Sequence, residues 1–320
     1  MKKNTEKFIE SLDLETPDPE EQELYSRRIT SYSVEALKAA VAVDRIFIGH
    51  PAFVQAVKAM DRIFQLAPEM DLPHGMLLVG PTGAGKTAAF KYFRNTLPSS
   101  SLFAPGDGAI GLRCPKRPRV GHFVAGLLKA YKYPFAVGSA QQLYVRRGLV
   151  FDAIKQKGTR LIFVDEAASM LKARRLGSGL DGDTEVSEFF REIVDECKVG
   201  LVLAGTDELD AIAQIDSALA SRLTVREELS PFYSDEKWVG VIQSFSKECK
   251  TFDITALASP DLAHLLHRAT GGNLRSLKRL MIEAILIAFD SKKAVIDRAI
   301  LSKAFTLAFG SANLQSNVFA

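Results

Sequence analysis

The chain has 320 residues, 47% of them apolar and 25% charged, with a formal net charge of +3. That is the composition of a globular protein with room for one large domain or two ordinary ones. No apolar run is long enough to span a bilayer, the polar start Met1-Lys2-Lys3-Asn4-Thr5-Glu6-Lys7 lacks the apolar centre of a signal peptide, and a charge of +3 does not by itself call for nucleic acid, so the chain reads as cytoplasmic.

Residues 1–40 read as an N-terminal extension: Asp13-Leu14-Glu15-Thr16-Pro17-Asp18-Pro19-Glu20-Glu21 is acidic and proline-bearing and does not pack alone. Arg45-Ile46-Phe47-Ile48-Gly49-His50-Pro51 gives a short apolar segment and a turn. Pro51 can open a helix at its first position, and the helix continues through Val54, Val57, Met60 and Phe64 at helical spacing. Met76-Leu77-Leu78-Val79 reads as a buried strand. Gly80-Pro81-Thr82-Gly83-Ala84-Gly85-Lys86-Thr87 then matches G-x-x-x-x-G-K-[ST] in full, and Ala88–Arg94 has helical character. Strand, glycine loop and helix in that order aim backbone N–H groups and a helix N-terminus at phosphate. Lys86 is expected to reach the β- and γ-phosphates of a nucleotide, and Thr87 to place its hydroxyl on Mg²⁺.

Further strands are expected at Ala109–Leu112, Leu161–Val164 and Val199–Ala204, with a weaker fifth at Thr224–Leu229. Helical segments such as Gly121–Tyr131, Gln141–Lys155 and Glu185–Glu196 separate them. Strands alternating with helices imply a parallel sheet covered on both faces. From Asp235 onward Trp238–Cys249, Pro260–Ala269, Leu274–Phe289 and Asp297–Phe309 all read as helices. The expected class is α/β: a five-stranded parallel sheet flanked by helices over residues 41–230, a small helical domain over 231–310 and a tail over 311–320. The tail, polar with an apolar end, is either a partner hook or frayed, and fraying is the favoured reading.

Leu161-Ile162-Phe163-Val164 runs into Asp165 and Glu166. Two carboxylates at the end of a buried strand are costly unless a cation and a reacting water use them. Asp165 is expected to hold Mg²⁺ through water, and Glu166 to orient or deprotonate the attacking water. Thr206 follows another apolar strand, Leu201–Ala204, at the carboxyl end where a parallel sheet binds ligand; it either senses the γ-phosphate or attacking water or caps the next helix. Arg222 ends a short helix and Arg275 begins one. A guanidinium from a neighbouring subunit can neutralise charge on the γ-phosphate, and one from the same chain can couple the helical domain to nucleotide. Cys114, Cys197 and Cys249 form neither a metal-ligand pattern nor a disulfide framework. His264 and His267 read as ordinary helix surface rather than a metal site.

In order, Gly80–Thr87, Asp165-Glu166, Thr206, Arg222, and Arg275 within Gly272-Asn273-Leu274-Arg275 resemble the AAA+ ATPases over residues 41–310. The resemblance implies ATP and Mg²⁺ as cofactors, catalytic roles for Lys86, Glu166, Arg222 and Thr206, an arginine finger at Arg222 and a lid sensor at Arg275; Thr206 stands where the family often carries Asn. Ile48-Gly49-His50-Pro51, Cys114-Pro115-Lys116-Arg117-Pro118 with the later Lys132-Tyr133-Pro134, and Leu203-Ala204-Gly205-Thr206 narrow it to the TniB and TnsC transposition ATPases. That family implies a bacterial protein that oligomerises with ATP, as ring or helical filament, on double-stranded DNA and recruits or activates a transposase alongside target-selection proteins, as in CRISPR-associated transposons.

The chain's own cations fit such a partner: Arg113, Lys116, Arg117 and Arg119 in one loop, Arg146 and Arg147 in the next helix, and Lys172, Arg174 and Arg175 after the acidic strand. Cations of this kind contact phosphate without reading sequence. Solvated surface charge or subunit contact is the alternative use of each cluster. The reading is an ATP-switched DNA-binding regulator of transposition, hydrolysis driving disassembly, with a helicase or clamp loader, or a remodelling motor, as the alternative. No aromatic pore loop of the aromatic-apolar-Gly form supports the motor.

Overall fold

The computed structural model describes residues 32–97, 108–134, 142–175, 182–310 and 317–320, with 172–175 and 182–184 described by backbone alone. Two helices lead, α1 (Val34–Asp44) and α2 (Pro51–Leu66). The sheet and its helices follow: β1 (Met76–Val79), α3 (Lys86–Thr96), β2 (Ala109–Arg113), α4 (Val120–Ala130), α5 (Leu143–Lys157), β3 (Leu161–Asp165), α6 (Ala168–Arg175), α7 (Gly182–Cys197) and β4 (Gly200–Gly205). Two single-turn helices, α8 (Ile212–Ile215) and α9 (Ser217–Ala220), precede β5 (Val225–Glu228). The lid is all helical: α10 (Glu236–Glu248), α11 (Pro260–Thr270), α12 (Leu274–Asp290) and α13 (Arg298–Phe309).

The strands run parallel in the order β2-β3-β4-β1-β5. Successive residues of a strand face opposite sides of the sheet, and both sides are apolar and covered. Leu77, Val79, Ile162, Val164, Leu201 and Leu203 join the core formed with α4, α5 and α7. Met76, Leu78, Leu161, Phe163, Val202 and Ala204 join the one formed with α2 and α3. Such continuous apolar runs are what a parallel sheet buried on both faces requires. The two edge strands are the exception: Gly111 and Arg113 of β2 and Arg226 and Glu228 of β5 are exposed, and the charges are what blunts an open edge.

Helix α2 begins as expected, with Pro51 in the first turn and His50 Nδ1 accepting the Phe53 N–H at 3.3 Å. Of the expected stripe Met60 and Phe64 are buried and Val57 packs against the same core, whereas Val54 is exposed and Phe53, Ala56 and Ile63 complete the buried face. α6 was not foreseen in the sequence, and Lys172, Arg174 and Arg175 fall on it.

The lid core includes more than the C-terminal helices. Ala36, Ala39, Ala40 and Val43 of α1 pack into it against α12, and Phe319 is buried there with its ring 6.2 Å from Phe305. Arg298 Nε donates to the Phe319 carbonyl at 3.0 Å. The last residues, 317–320, are therefore not frayed; 311–316, like the acidic segment 13–21, lie outside the described residues. His264 and His267 stitch the lid to the segment after β5: His264 Nδ1 pairs with Ser234 Oγ at 3.0 Å and His267 Nε2 with the Phe232 carbonyl at 2.8 Å. The sequence had left both as plain helix surface.

Candidate nucleotide site

The site lies at the carboxyl ends of β1, β3 and β4, where a parallel sheet leaves its crevice. Register explains the convergence: Val79 of β1 pairs with Gly205 of β4, so Gly80 and Thr206 emerge side by side, and Val164 of β3 pairs with Leu203, which brings Asp165 out beside the same end of β4. Gly80 can have no side chain, because a Cβ there would lie 2.1 Å from the Leu229 carbonyl oxygen. Lys86 starts α3 and is buried; its Nζ donates to the carbonyls of Gly80 at 2.5 Å and Pro81 at 2.9 Å. Burial lowers its pKa, Asp165 and Glu166 oppose that, and the nearby Arg275 adds to it.

Thr87 Oγ1 donates to Asp165 Oδ2 at 2.5 Å. A hydroxyl and a carboxylate oxygen converging at the phosphate loop form a hard-oxygen donor set that fits Mg²⁺. Glu166 sits in the left-handed region at φ 56°, uncommon for a non-glycine residue and frequent at functional sites. Its Oε1 accepts from Arg113 at 2.7 Å, and both side chains are exposed. The hydroxyl of Thr206 is buried with no partner among the described residues and does not cap the following helical turn. Of the two uses the sequence left open, the cap is not the one the side chain serves.

These groups line one end of a cavity of about 630 Å³. Its other end is formed by Ile46, Phe47, Ile48 and Phe53 before and within α2, and by Leu274, Lys278 and Ile282 of α12. A polar end and an apolar end suit a nucleotide's phosphates and base. Lys278 Nζ donates to the Asp44 carbonyl at 2.7 Å and lies 5.8 Å from the Phe47 ring centroid; burial lowers its pKa. The sequence reading missed Lys278, although it lies three residues after Arg275 on one helix, a spacing that shares a face.

Of the expected site residues, Gly83, Gly85, Lys86, Thr87, Asp165, Glu166, Thr206, Thr82 and Arg275 line this cavity; Pro81 and Ala84 complete the loop. Arg222 does not line it. Its guanidinium is clamped to Asp195 by contacts of 2.8 and 2.6 Å and to the Ala218 carbonyl at 2.7 Å, pairing that raises its pKa. Arg113 is expected from sequence to contact DNA, but it is engaged by Glu166. Lys116, Arg117 and Arg119 are exposed and make no ion pair among the described residues. Arg146 is buried, 8% exposed, and Arg147 pairs with Glu192 and lies over Phe189 of α7, so the arginine pair expected at DNA is engaged within the protein instead.

The fold and the loop define a P-loop protein of the AAA+ class. The family model for the bacterial TniB protein matches residues 38–232, more than half of the chain, and the chain belongs to that family. It is also 31% identical over 153 residues to a Bifidobacterium longum protein described as an AAA ATPase forming ring-shaped complexes. That match covers 44% of this chain, and only about a quarter (27%) of the relative's length. The fold is similar to that of the Aeropyrum pernix ORC2 protein, at TM-score 0.61 and 14% identity over 81% of this chain and 68% of that one. It is similar as well to the Aeropyrum pernix ORC1 protein, solved in complex with DNA, at TM-score 0.55 and 18% identity over 78% and 63%.

Proposed function

We propose that the protein is an ATP-hydrolysing, DNA-binding regulator of transposition. The observation that carries the ATPase part is the convergence of Lys86, Thr87, Asp165, Glu166 and Thr206 on one end of a nucleotide-sized cavity. Lys86 binds the β- and γ-phosphates, Thr87 and Asp165 would hold Mg²⁺, and Glu166 orients or deprotonates the attacking water once it leaves Arg113. Mg²⁺, when bound, neutralises charge on the phosphate oxygens. Arg275 couples the lid to the nucleotide. Arg222 serves the phosphate of the neighbouring subunit, exchanging Asp195 for it; its position outside its own cavity supports that assignment.

Duplex DNA is held by Lys116, Arg117 and Arg119 without sequence preference, and affinity falls with salt as counterions are released. Their exposure, with no ion pair to any of them among the described residues, supports this. The exposed Tyr144 and Val145 open α5, whose first residue, Leu143, packs beside the start of α4; they add a non-ionic face near the same loop. The oligomer on DNA recruits or activates a transposase, and hydrolysis drives disassembly. A bacterial, cytoplasmic setting suits that role.

The test is electron microscopy of the protein with duplex DNA and a non-hydrolysable ATP analogue, with two variants in parallel. Wild-type protein is expected to form rings or filaments on the duplex, Lys86→Ala to form none, and Glu166→Gln to assemble with ATP and persist. Monomers in every nucleotide state, or normal assembly by Lys86→Ala, would overturn the proposal. Sustained strand displacement would favour a motor instead.

A further inference from the structure

We infer that Asn273 is a positioning residue that ties the lid to the phosphate loop and thereby sets nucleotide affinity. This rests on the ATPase reading above and is independent of DNA.

Asn273 is the N-cap of α12. Its Oδ1 accepts from the N–H groups of Arg275 at 3.0 Å and Ser276 at 3.3 Å. With the oxygen so engaged, the amide has only one orientation, and Nδ2 donates to the carbonyl of Thr82 at 2.9 Å across 191 residues of sequence. One side chain thus bonds the first turn of the lid helix and the backbone of the phosphate loop.

Gly83 supports the same contact. It lies at a position the phosphate-loop pattern leaves free, so the pattern gives no reason for glycine there. A Cβ on Gly83 would stand 2.6 Å from Asn273 Oδ1 and 3.1 Å from the Arg275 Cβ, and its φ is +86°. The close approach of the lid, as well as the backbone conformation, accounts for this glycine.

The approach of Asn273 is itself fixed. Its N–H donates to Thr270 at 3.1 Å, and the preceding residue, Gly272, accepts the Phe232 N–H at 3.0 Å. The Phe232 carbonyl is in turn bonded to His267. The segment leaving β5 therefore holds the turn that presents Asn273, and Arg275 follows two residues later in the nucleotide cavity. A lid docked on the loop by the protein's own bonds spares the nucleotide the cost of ordering it. Losing the Thr82 bond transfers that cost to binding.

Serine caps a helix about as well as asparagine but is too short to reach Thr82, so Asn273→Ser separates capping from the bond to the loop. In the full-length protein without DNA, titration with a fluorescent ADP analogue is expected to show binding weakened about three- to tenfold, the range of one net hydrogen bond. KM for ATP should rise by more than kcat falls. In the nucleotide-free protein, amide exchange should quicken at both residues 80–87 and residues 273–277. Unchanged affinity with unchanged exchange in the loop would overturn the inference, and so would quickening confined to α12, which is the signature of a cap alone. If Asn273→Ser does not fold, Asn273→Asp caps as well, lacks the donor, and is judged by exchange without nucleotide, where its charge meets no phosphate. Failure of wild-type protein to bind adenine nucleotide would count against the ATPase reading, whereas the nucleotide-free exchange still decides the role of Asn273.

Discussion

Thr206→Val is expected to make the empty protein more stable and the enzyme slower. The Thr206 hydroxyl is buried with no hydrogen-bond partner among the described residues. An unsatisfied buried polar group costs about 1–3 kcal/mol, and valine keeps the branched shape while removing it. For a domain of this size each kcal/mol moves Tm by about 2–4 °C, so nucleotide-free Thr206→Val should melt roughly 2–6 °C higher than wild type, allowing for partial relaxation of the site. With Mg²⁺ and ATP the order reverses in part: the hydroxyl gains a partner in wild type, so the nucleotide-induced rise in Tm should be smaller in the variant. Turnover should fall about 10²–10³-fold if the hydroxyl meets the γ-phosphate or the attacking water, the loss typical of one transition-state donor. Differential scanning fluorimetry with and without nucleotide, beside a steady-state phosphate-release assay, measures both. A nucleotide-free Tm unchanged or lowered would show that the hydroxyl is already satisfied, and an unchanged kcat would remove Thr206 from the chemistry.

Arg113→Ala should free Glu166 and raise the basal ATPase rate severalfold while leaving Tm within about 1 °C, because an exposed ion pair adds little stability; phosphate release and melting report each. Trp238, the single tryptophan, is 1% exposed in the lid core and donates from Nε1 to the Ala263 carbonyl at 2.7 Å. Trp238→Ala should cost about 3–5 kcal/mol, read as a lower urea midpoint by circular dichroism. Burial holds the pKa of His50 below the ordinary imidazole value. The unfolded chain therefore binds more protons below about pH 6.5, so the stability contributed by neutral His50 is full above that pH and lost as pH falls below it. His50→Asn, which keeps a helix cap, should flatten the fall in Tm between about pH 7 and 5.

The sheet was legible because a doubly covered parallel strand is a continuous apolar run, and β1, β3 and β4 all read that way. β5 was fainter because an edge strand carries charge: Arg226, Glu227 and Glu228 mask its pattern. The loop, Asp165 and Glu166 were legible because their chemistry is local in sequence. What failed needed contacts between distant segments. Arg113 looked like a free cation until β2 was paired in register with β3, which sets Arg113 opposite Asp165. Helix α5 is apolar on both sides, with Tyr144, Val145 and Leu149 exposed and Val150, Ala153 and Ile154 buried, so periodicity could not tell which side faced the core. Arg146 lies four residues before Val150, within the buried stripe, and that spacing was the available clue. Neither α1 nor Phe319 could be assigned to the lid core from sequence, because their partners are two hundred or more residues away for α1 and on another helix for Phe319.

The polar groups of the site bond one another. Lys86 bonds carbonyls of its own loop, Thr87 bonds Asp165, Glu166 bonds Arg113, and Asn273 bonds Thr82. Nucleotide binding at such a site is an exchange of bonds, and its net affinity is smaller than the new contacts alone suggest. Each bond exchanged also releases something particular. Breaking Glu166 from Arg113 frees the carboxylate proposed to act on the attacking water and, on the other side, the strand end that runs directly into Lys116, Arg117 and Arg119. If those three residues take phosphate from a duplex, DNA and Glu166 compete for the position of one strand end. A duplex that draws Arg113 away then accelerates hydrolysis, and one that leaves the pair closed delays it. Arg113→Ala tests this, because its basal rate should be high and no longer respond to DNA; a rate that still responds to DNA would refute the coupling through this pair.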